Sequence, residues 1–149
     1  MTQTANQREI PILTYHQIAE APPRGAVFRS LTVSPNRFRS QMYWLKRLGY
    51  QGLSMRELMP FLRGERCGRV VGITFDDGYL NNLSSALPVL QELGFTATCY
   101  VVSGLMGGSN VWDHALGVQP AQLMTAAQVR AWSDAGMEVG SHTCTHERL

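Results

Sequence analysis

Residues 70–79 read VVGITFDDGY and join an apolar run to two adjacent carboxylates, Asp76 and Asp77. The β-branched members of the run predict a strand that is buried in a parallel sheet. Two like charges at the end of such a strand repel each other and resist removal from water. Gly78 suits a turn with a positive φ, but a turn alone does not explain the charges. We therefore expect a neighbouring group that holds both carboxylates.

The bulk composition is that of a globular domain. The 149 residues are enough for one domain with a hydrophobic core. With 16% charged residues and a formal net charge of +2, the composition predicts neither a nucleic-acid partner nor an acidic tail. The three cysteines form no CxxC pair, which favours free thiols in a reducing compartment.

The first ten residues, MTQTANQREI, contain no apolar segment of the kind found in secretory signals. We therefore expect a cytoplasmic protein without a membrane span, or an extracytoplasmic one if a leader has been removed.

Strand-like and helix-like patterns alternate along the chain. Strands are predicted at residues 11–15, 70–75, 95–102 and 137–140. Helices are predicted after the cap residues Ser34, Ser54 and Thr125, and over residues 83–93, where Pro88 either kinks the helix or marks its start. The alternation predicts an α/β fold in which crossover helices connect the strands of a parallel sheet.

Polar side chains follow three of the predicted strands: His16, the pair Asp76 and Asp77, and His142, with His146 four residues later. We expect them at one edge, because functional groups of parallel α/β folds gather beyond the carboxyl ends of the strands. Two histidines and a carboxylate are a common ligand set for a catalytic zinc. One aspartate can then bind the cation while the other accepts a proton from an activated water, and the cation offsets the repulsion between them.

Other side chains near this edge have less specific interpretations. His16 is either an active-site residue or a packed, hydrogen-bonded histidine. Tyr79 and Trp112 would line a sugar groove or contribute to packing. His114 belongs to no motif and is interpreted as a loop residue, whereas Cys144, between two histidines, either takes a functional role or packs.

The motifs TFDDGY at residues 74–79 and SHTCTH at residues 141–146 resemble the first two motifs of the polysaccharide deacetylase family, the NodB homology domain of carbohydrate esterase family 4. The segments PILTYHQI and TVSPNRF are similar to the branch that includes exopolysaccharide deacetylases. The resemblance covers most of the chain from about Ile10. Residues 1–9 would then be an N-terminal extension, and residues 10–149 the N-terminal portion of a deacetylase domain.

The resemblance implies a distorted (β/α) barrel and a hydrolase that removes an N- or O-acetyl group from a polysaccharide or smaller saccharide. By position it makes Asp77, His142 and His146 the ligands of a divalent cation, with zinc preferred over other transition metals, and Asp76 the general base. His16 and Tyr79 are additional active-site candidates. The expected partner is an acetylated glycan.

The later motifs of the family, among them the histidine that serves as acid, do not occur in the 149 residues. About four predicted strands also fall short of a full barrel of roughly 250 residues. We therefore expect an incomplete barrel, and the main alternative function is a catalytically incomplete metal- or carbohydrate-binding fragment. A phosphatase with an aspartate nucleophile favours two aspartates separated by one residue, a spacing that TFDDG lacks. A purely structural α/β domain would leave the aspartates and histidines without a joint purpose.

Overall fold

The computed structural model describes residues 9–147. Within these residues, helices and strands alternate along the chain. The strands are β1 (Ile12–Tyr15), β2 (Gln17–Ile18), β3 (Thr32–Val33), β4 (Gln51–Leu53), β5 (Val70–Phe75), β6 (Thr98–Val101) and β7 (Glu138–Ser141). The α-helices are α1 (Pro35–Arg47), α2 (Met55–Leu62), α3 (Leu87–Leu93) and α4 (Ala126–Asp134). The predicted α/β class is confirmed.

Five of the strands form one parallel sheet in the order β1-β5-β6-β7, with β4 also paired to β5. The strand β5 is central, and all six of its residues are buried. Strands β2 and β3 form a separate parallel pair. Because every pairing in the main sheet is parallel, each strand begins at one edge and its carboxyl end points to the other. The sequence motifs follow those carboxyl ends.

The core is built around Phe75, the last residue of β5. Its ring contacts Tyr15 at a centroid distance of 5.6 Å, Phe38 at 5.8 Å and Trp132 at 5.7 Å. These rings come from β1, α1 and α4, so the cluster joins the sheet to helices that precede and follow it. Aromatic pairs of this kind add about 0.5–1.5 kcal/mol each beyond burial of their area. The cluster lies directly beneath the residues that follow β5.

The predicted helix caps are largely as expected. Ser34 accepts a hydrogen bond from the backbone of Arg37, and Thr125 forms a full capping box with Gln128. Ser54 caps α2 by accepting from the Glu57 N–H, but the Glu57 side chain does not bond directly to the Ser54 N–H. The Ser54 N–H donates to the hydroxyl of Thr96, which itself donates to the Glu57 carboxylate. Thr96, from the segment before β6, therefore lies between Ser54 and Glu57 and connects α2 to the sheet.

The structure differs from the sequence prediction in several details. The strand β4 was not predicted, because Gly52 weakens the strand signal of its three residues. A side chain at Gly52 would meet Ile73 at 2.6 Å and Phe95 at 2.7 Å, so the packing requires glycine there. Residues 82–86 form a π-helical turn instead of the first part of the predicted helix. Of the two alternatives for Pro88, the start of the helix is confirmed, because α3 begins at Leu87. The predicted strand over residues 95–102 is shorter, Thr98–Val101.

Candidate metal centre and active site

The carboxyl ends of β1, β5 and β7 bring the two sequence motifs to one edge of the sheet. Tyr15 pairs with Phe75, and the Asp76 N–H donates to the Tyr15 carbonyl, so His16 and Asp76 leave their strands side by side. On the other side of the sheet, where β6 pairs with β7, Val101 pairs with Ser141, and the His142 N–H donates to the Val101 carbonyl. The parallel register therefore places both motifs on the same rim, as predicted.

Asp77, His142 and His146 form a compact cluster on this rim. Oδ1 of Asp77 lies 3.1 Å from Nε2 of His146 and 3.4 Å from Nε2 of His142. One ligand atom from each residue lies within 4.8 Å of the others. The convergence of these three side chains, which the motifs predicted, is therefore present in the structure.

Asp77 reaches this position through an unusual backbone turn. Its φ is 72°, and Gly78 follows with a φ of 77°, so two successive residues adopt the left-handed conformation. For a residue with a side chain, this conformation is uncommon, and it is found most often at turns and functional sites. The turn reverses the chain directly after β5 and directs the Asp77 carboxylate inward.

The loop that carries the two histidines is held by a neighbouring 3₁₀ turn, Ser103–Leu105. The Ser103 N–H donates to the Thr143 carbonyl at 3.1 Å, and the Gly104 N–H donates to the Cys144 carbonyl at 2.9 Å. Thr143 and His146 both have left-handed backbone conformations, with φ of 61° and 63°. The two hydrogen bonds therefore fix a strained loop whose shape sets the positions of the imidazoles.

Trp112 packs directly on this loop. Its ring stacks on the His146 imidazole at a centroid distance of 4.3 Å and an interplanar angle of 16°. Of the two interpretations of Trp112, a sugar groove or packing, the structure shows packing against one of the histidines. This contact restricts the rotation of the His146 ring.

The electrostatics of Asp77 match the needs of a cation site. Asp77 is 4% exposed, and its Oδ1 has no hydrogen-bond partner. Burial raises the pKa of Asp77, the neighbouring Asp76 raises it further, and His16, His146 and His142 oppose that shift. A buried carboxylate oxygen without a donor is rare and calls for an explanation. Two imidazole nitrogens directed at the same oxygen complete a donor set that fits a divalent cation.

The second aspartate has a different environment. The Asp76 side chain is 23% exposed, and its Oδ2 lies 3.9 Å from Nε2 of His16. Asp76 does not belong to the Asp77, His142 and His146 cluster. The structure thus separates the two adjacent carboxylates into one that is buried among histidines and one that remains accessible to solvent.

The remaining candidates fall outside the cluster. Tyr79 is 3% exposed, and burial together with the negative charges of Asp77 and Asp113 raises its pKa, so its hydroxyl stays protonated. His114 is exposed and lies outside the cluster, but it belongs to the 3₁₀ helix Val111–Leu116 rather than to a loop. Cys144 is an exposed free thiol. No sequence pattern predicts the contacts from Ser103 and Gly104, because these contacts depend on two loops that meet only in the folded chain.

No helix among residues 9–147 combines the length and the apolar character needed to cross a membrane.

Comparison with known proteins identifies the family. The family model for polysaccharide deacetylases matches residues 63–149. YxkH of Bacillus subtilis, a protein named for the polysaccharide deacetylases, is 31% identical over 149 residues, which are 99% of this chain and 47% of YxkH. The poly-β-1,6-N-acetyl-D-glucosamine N-deacetylase of Staphylococcus epidermidis is 26% identical over 108 residues, which are 66% of this chain and 37% of that protein. The chain thus spans less than half of the length of both curated relatives.

A solved structure supports the same assignment. The Streptococcus pyogenes deacetylase PplD, solved in complex with acetate, is 31% identical and superposes with a TM-score of 0.72 over 93% of this chain and 57% of PplD. The parallel sheet with its crossover helices is therefore part of the NodB-type deacetylase fold, and the predicted fold class is confirmed. Together, the matched motifs, the shared fold and the extent of the family match show that the chain belongs to the polysaccharide deacetylase family.

Proposed function

We propose that this protein is a metal-dependent hydrolase that removes acetyl groups from an acetylated saccharide, with Asp76 as the general base. One observation carries the proposal: a buried Asp77 oxygen without a hydrogen-bond donor faces two imidazole nitrogens, and an accessible second carboxylate follows the same strand. Membership of the deacetylase family supports it. The activity is proposed for the whole protein, since the curated relatives are more than twice as long as the matched part.

In this proposal Asp77, His142 and His146 hold the cation. Two imidazoles and a carboxylate are a donor set that suits zinc and other first-row divalent metals, and we propose zinc. When bound, the cation would polarise the acetyl carbonyl and bring the pKa of a water molecule close to neutrality.

Asp76 is the residue that accepts the proton of the attacking water in this proposal. Its carboxylate is exposed enough to reach a water molecule on the substrate side, yet it remains adjacent to the Asp77 cluster along the backbone. A positioned carboxylate that accepts the proton of the attacking water contributes roughly 10²- to 10⁴-fold to the rate. The water oxygen adds to the acetyl carbon, the bond from that carbon to the sugar nitrogen breaks, and acetate and a free amine result.

The amine must gain a proton as it leaves. Within the described residues, we propose His16 for this step, because its Nε2 lies 3.9 Å from Oδ2 of Asp76 and its side chain is partly exposed. A proton taken up by Asp76 can thus pass through the pair to the leaving nitrogen. In this proposal Asp76 and His16 together transfer the proton, whereas Tyr79 has a structural role beneath the site.

The substrate class follows from the relatives. The Staphylococcus epidermidis relative is named as an N-deacetylase of poly-β-1,6-N-acetyl-D-glucosamine, and PplD was solved with acetate, the product of any deacetylation. The first supports an acetylated amino sugar as the substrate of this protein, and the second supports the removal of an acetyl group in general. The bond to be broken would then be an amide rather than an ester.

Two measurements on the purified protein test the proposal: zinc binding by competition with a fluorescent chelator, and acetate release from a β-1,6-linked N-acetylglucosamine tetramer. We expect one zinc per chain and acetate release that chelation abolishes. His142→Ala should lose both properties, whereas His114→Ala, which changes an exposed histidine outside the cluster, should keep both. Zinc binding without acetate release would favour the alternative of a metal-binding fragment, and a protein that binds no zinc would refute the metal site.

A further inference from the structure

We propose that the outer face of α1 binds the surface of an anionic lipid bilayer and holds the protein there peripherally. This face consists of six exposed residues: Arg37, Ser40, Tyr43, Trp44, Arg47 and Leu48. The inference does not depend on the proposed hydrolase activity, because none of these residues belongs to the candidate metal centre.

Charge is distributed unevenly along the chain. Residues 34–69, which include α1, contain eight arginines and lysines but only two aspartates and glutamates. The remaining residues contain five and nine. The small formal net charge of +2 is therefore the sum of a cationic segment and an anionic remainder. Anionic lipid headgroups attract a cationic surface of this kind within a Debye length, about 10 Å at 0.1 M salt.

The helix α1 carries large apolar side chains on both its inner and its outer side. Phe38 and Met42, four residues apart, are fully buried in the core. Trp44 and Leu48 have the same spacing but lie on the outer side, where they are 60% and 53% exposed. Neighbouring exposed apolar side chains of this size mark an interaction site, so we infer a partner that supplies an apolar phase.

Cations lie around these apolar side chains. The guanidinium of Arg47 lies 5.6 Å from the centroid of the Trp44 ring, and Arg37 lies two helical turns before Trp44 on the same face. Nη1 of Arg69 donates to the Leu48 carbonyl at 2.7 Å, which places a third cation at the end of the helix. Within the part of the chain that the structure describes, none of the three arginines forms an ion pair.

The carboxylate of Glu92 lies beside this face but is already paired. Nη2 of Arg39 donates to both of its oxygens, at 3.1 and 2.9 Å, and the Tyr43 hydroxyl donates to it as well. Arg39 and Tyr43 also line a depression of about 460 Å³ together with Ser40 and Arg47. A lipid phosphate in this depression would therefore meet the unpaired guanidinium of Arg47 and the hydroxyl of Ser40.

The composition of the face favours a bilayer over a dissolved polyanion. Tryptophan and tyrosine rings prefer the boundary between headgroups and acyl chains, and arginine can bury its aliphatic stem there while its charge stays in water. Trp44 and Leu48 would gain free energy by entering that boundary. A nucleic acid or an acidic polysaccharide in solution would pair with the arginines but would leave Leu48 in water.

The position of the face leaves the candidate metal centre free. The end of α1 leads directly into β4 at Gln51, and Arg69 immediately precedes β5. These residues therefore lie at the amino ends of the strands, whereas Asp77 follows the carboxyl end of β5. The six residues of β5 span about 20 Å, so a bilayer at the opposite end does not cover the rim.

The test is co-sedimentation of the purified protein with vesicles of phosphatidylcholine alone or of phosphatidylcholine mixed with phosphatidylglycerol. We expect binding to the anionic vesicles to be at least tenfold tighter at about 0.1 M salt, and this advantage to disappear at about 1 M salt. Brominated acyl chains should quench the tryptophan emission of the bound protein. Trp44→Phe should remove most of this quenching, because Trp132 is buried and Trp112 stacks on His146.

A pair of double variants tests the role of the charges. Arg37→Gln with Arg47→Gln should lower the affinity for anionic vesicles by about 10- to 30-fold, since each removed cation weakens the attraction to the surface. Arg24→Gln with Arg130→Gln removes the same net charge from two exposed arginines outside residues 34–69 and should bind as the wild type does.

A pair of leucine variants tests the apolar contact. Leu48→Ala should lower the affinity for anionic vesicles by about three- to tenfold, because it removes methyl and methylene groups that enter the bilayer. Leu116→Ala is the matched control, since both leucines are 53% exposed and Leu116 lies in the 3₁₀ helix Val111–Leu116.

Four results would overturn the proposal. Equal binding to both kinds of vesicle would exclude recognition of anionic lipid, and equal losses in the two double variants would assign the attraction to net charge rather than to this face. A dimer that Leu48→Ala dissociates, without vesicle binding, would assign the face to a second copy of the chain. Salt-sensitive binding to an RNA oligonucleotide, again without vesicle binding, would assign it to a nucleic acid.

Discussion

Oδ1 of Asp77 lies 3.1 Å from Nε2 of His146, although strand β6 separates the two strands that these residues follow. The left-handed conformations of both residues turn their side chains toward each other across that strand. This Oδ1 atom is buried and has no hydrogen-bond donor, so the contact joins an acceptor to a nitrogen that can equally bind a cation. The predictions below follow from this arrangement.

The two aspartates should respond differently to the same substitution. Asp76→Asn should leave zinc content unchanged and lower acetate release by roughly 10²- to 10⁴-fold, because it removes the base. Asp77→Asn should weaken zinc binding, because a neutral amide is a poorer ligand for a dication. Zinc analysis and acetate release on both variants measure this, with the exposed Asp134→Asn as control. Identical behaviour of the first two variants would contradict the division of roles.

The metal-free protein should lose stability as the pH rises. Burial raises the pKa of Asp77 above its ordinary value of 3.8, so the folded chain retains this proton at a pH where the unfolded chain has released it. In that window the unfolded state binds fewer protons, and the free energy of unfolding decreases with increasing pH. Urea denaturation in the presence of a chelator, from about pH 4 to about pH 7, measures the slope.

Asp77→Asn should flatten this pH dependence and stabilise the metal-free protein at neutral pH. Asparagine tolerates the left-handed backbone of this position, with its φ of 72°, so the variant changes charge with little strain. A wild-type slope that persists in Asp77→Asn would show that another group is responsible.

Gly104 should be needed for the geometry of the histidine loop. A Cβ atom there would lie 2.6 Å from the carbonyl oxygen of Cys144 and 2.7 Å from its Sγ, so Gly104→Ala must displace the loop between His142 and His146. We expect zinc affinity to fall by about 10- to 100-fold, the range seen when groups that orient metal ligands are changed. Chelator competition measures it.

Gly108→Ala is the matched control for this variant. Its nearest contact would be the Leu105 carbonyl oxygen at 3.1 Å, in the same segment but away from the histidine loop. If both alanine variants bind zinc as the wild type does, the close approach of Gly104 has no role in positioning the ligands.

Trp112 should contribute to zinc binding through its stack on His146. Trp112→Ala removes a contact of about 0.5–1.5 kcal/mol, so zinc affinity should fall by up to about tenfold, whereas Trp112→Phe should retain much of it. Zinc should also change the fluorescence of the wild type through this indole, and that change should vanish in Trp112→Phe. The exposed Trp44→Ala serves as control, and a zinc-induced change that survives in Trp112→Phe would place its origin elsewhere.

Local sequence patterns predicted much of the fold. The run of residues 70–75 predicted the central strand, and Ser34 and Thr125 predicted the starts of two helices. These features depend on neighbouring residues: burial of an apolar run, and satisfaction of the free N–H groups of a first helical turn. The strand β4 was missed because its glycine is required by the side chains of Ile73 and Phe95, which no pattern within β4 reveals.

The sequence by itself determined which residues can take part in the chemistry of the site: two carboxylates after a buried strand, and two histidines four residues apart after another. Side-chain type and spacing along the chain are enough for that inference. Only the tertiary structure decided that Asp77 is buried against both histidines while Asp76 remains accessible, because the difference arises from a left-handed turn and the register of β5, β6 and β7. The support from Gly104 and Trp112 likewise depends on contacts between segments far apart in the chain. Such contacts are set by packing of the whole domain, which short-range patterns do not encode.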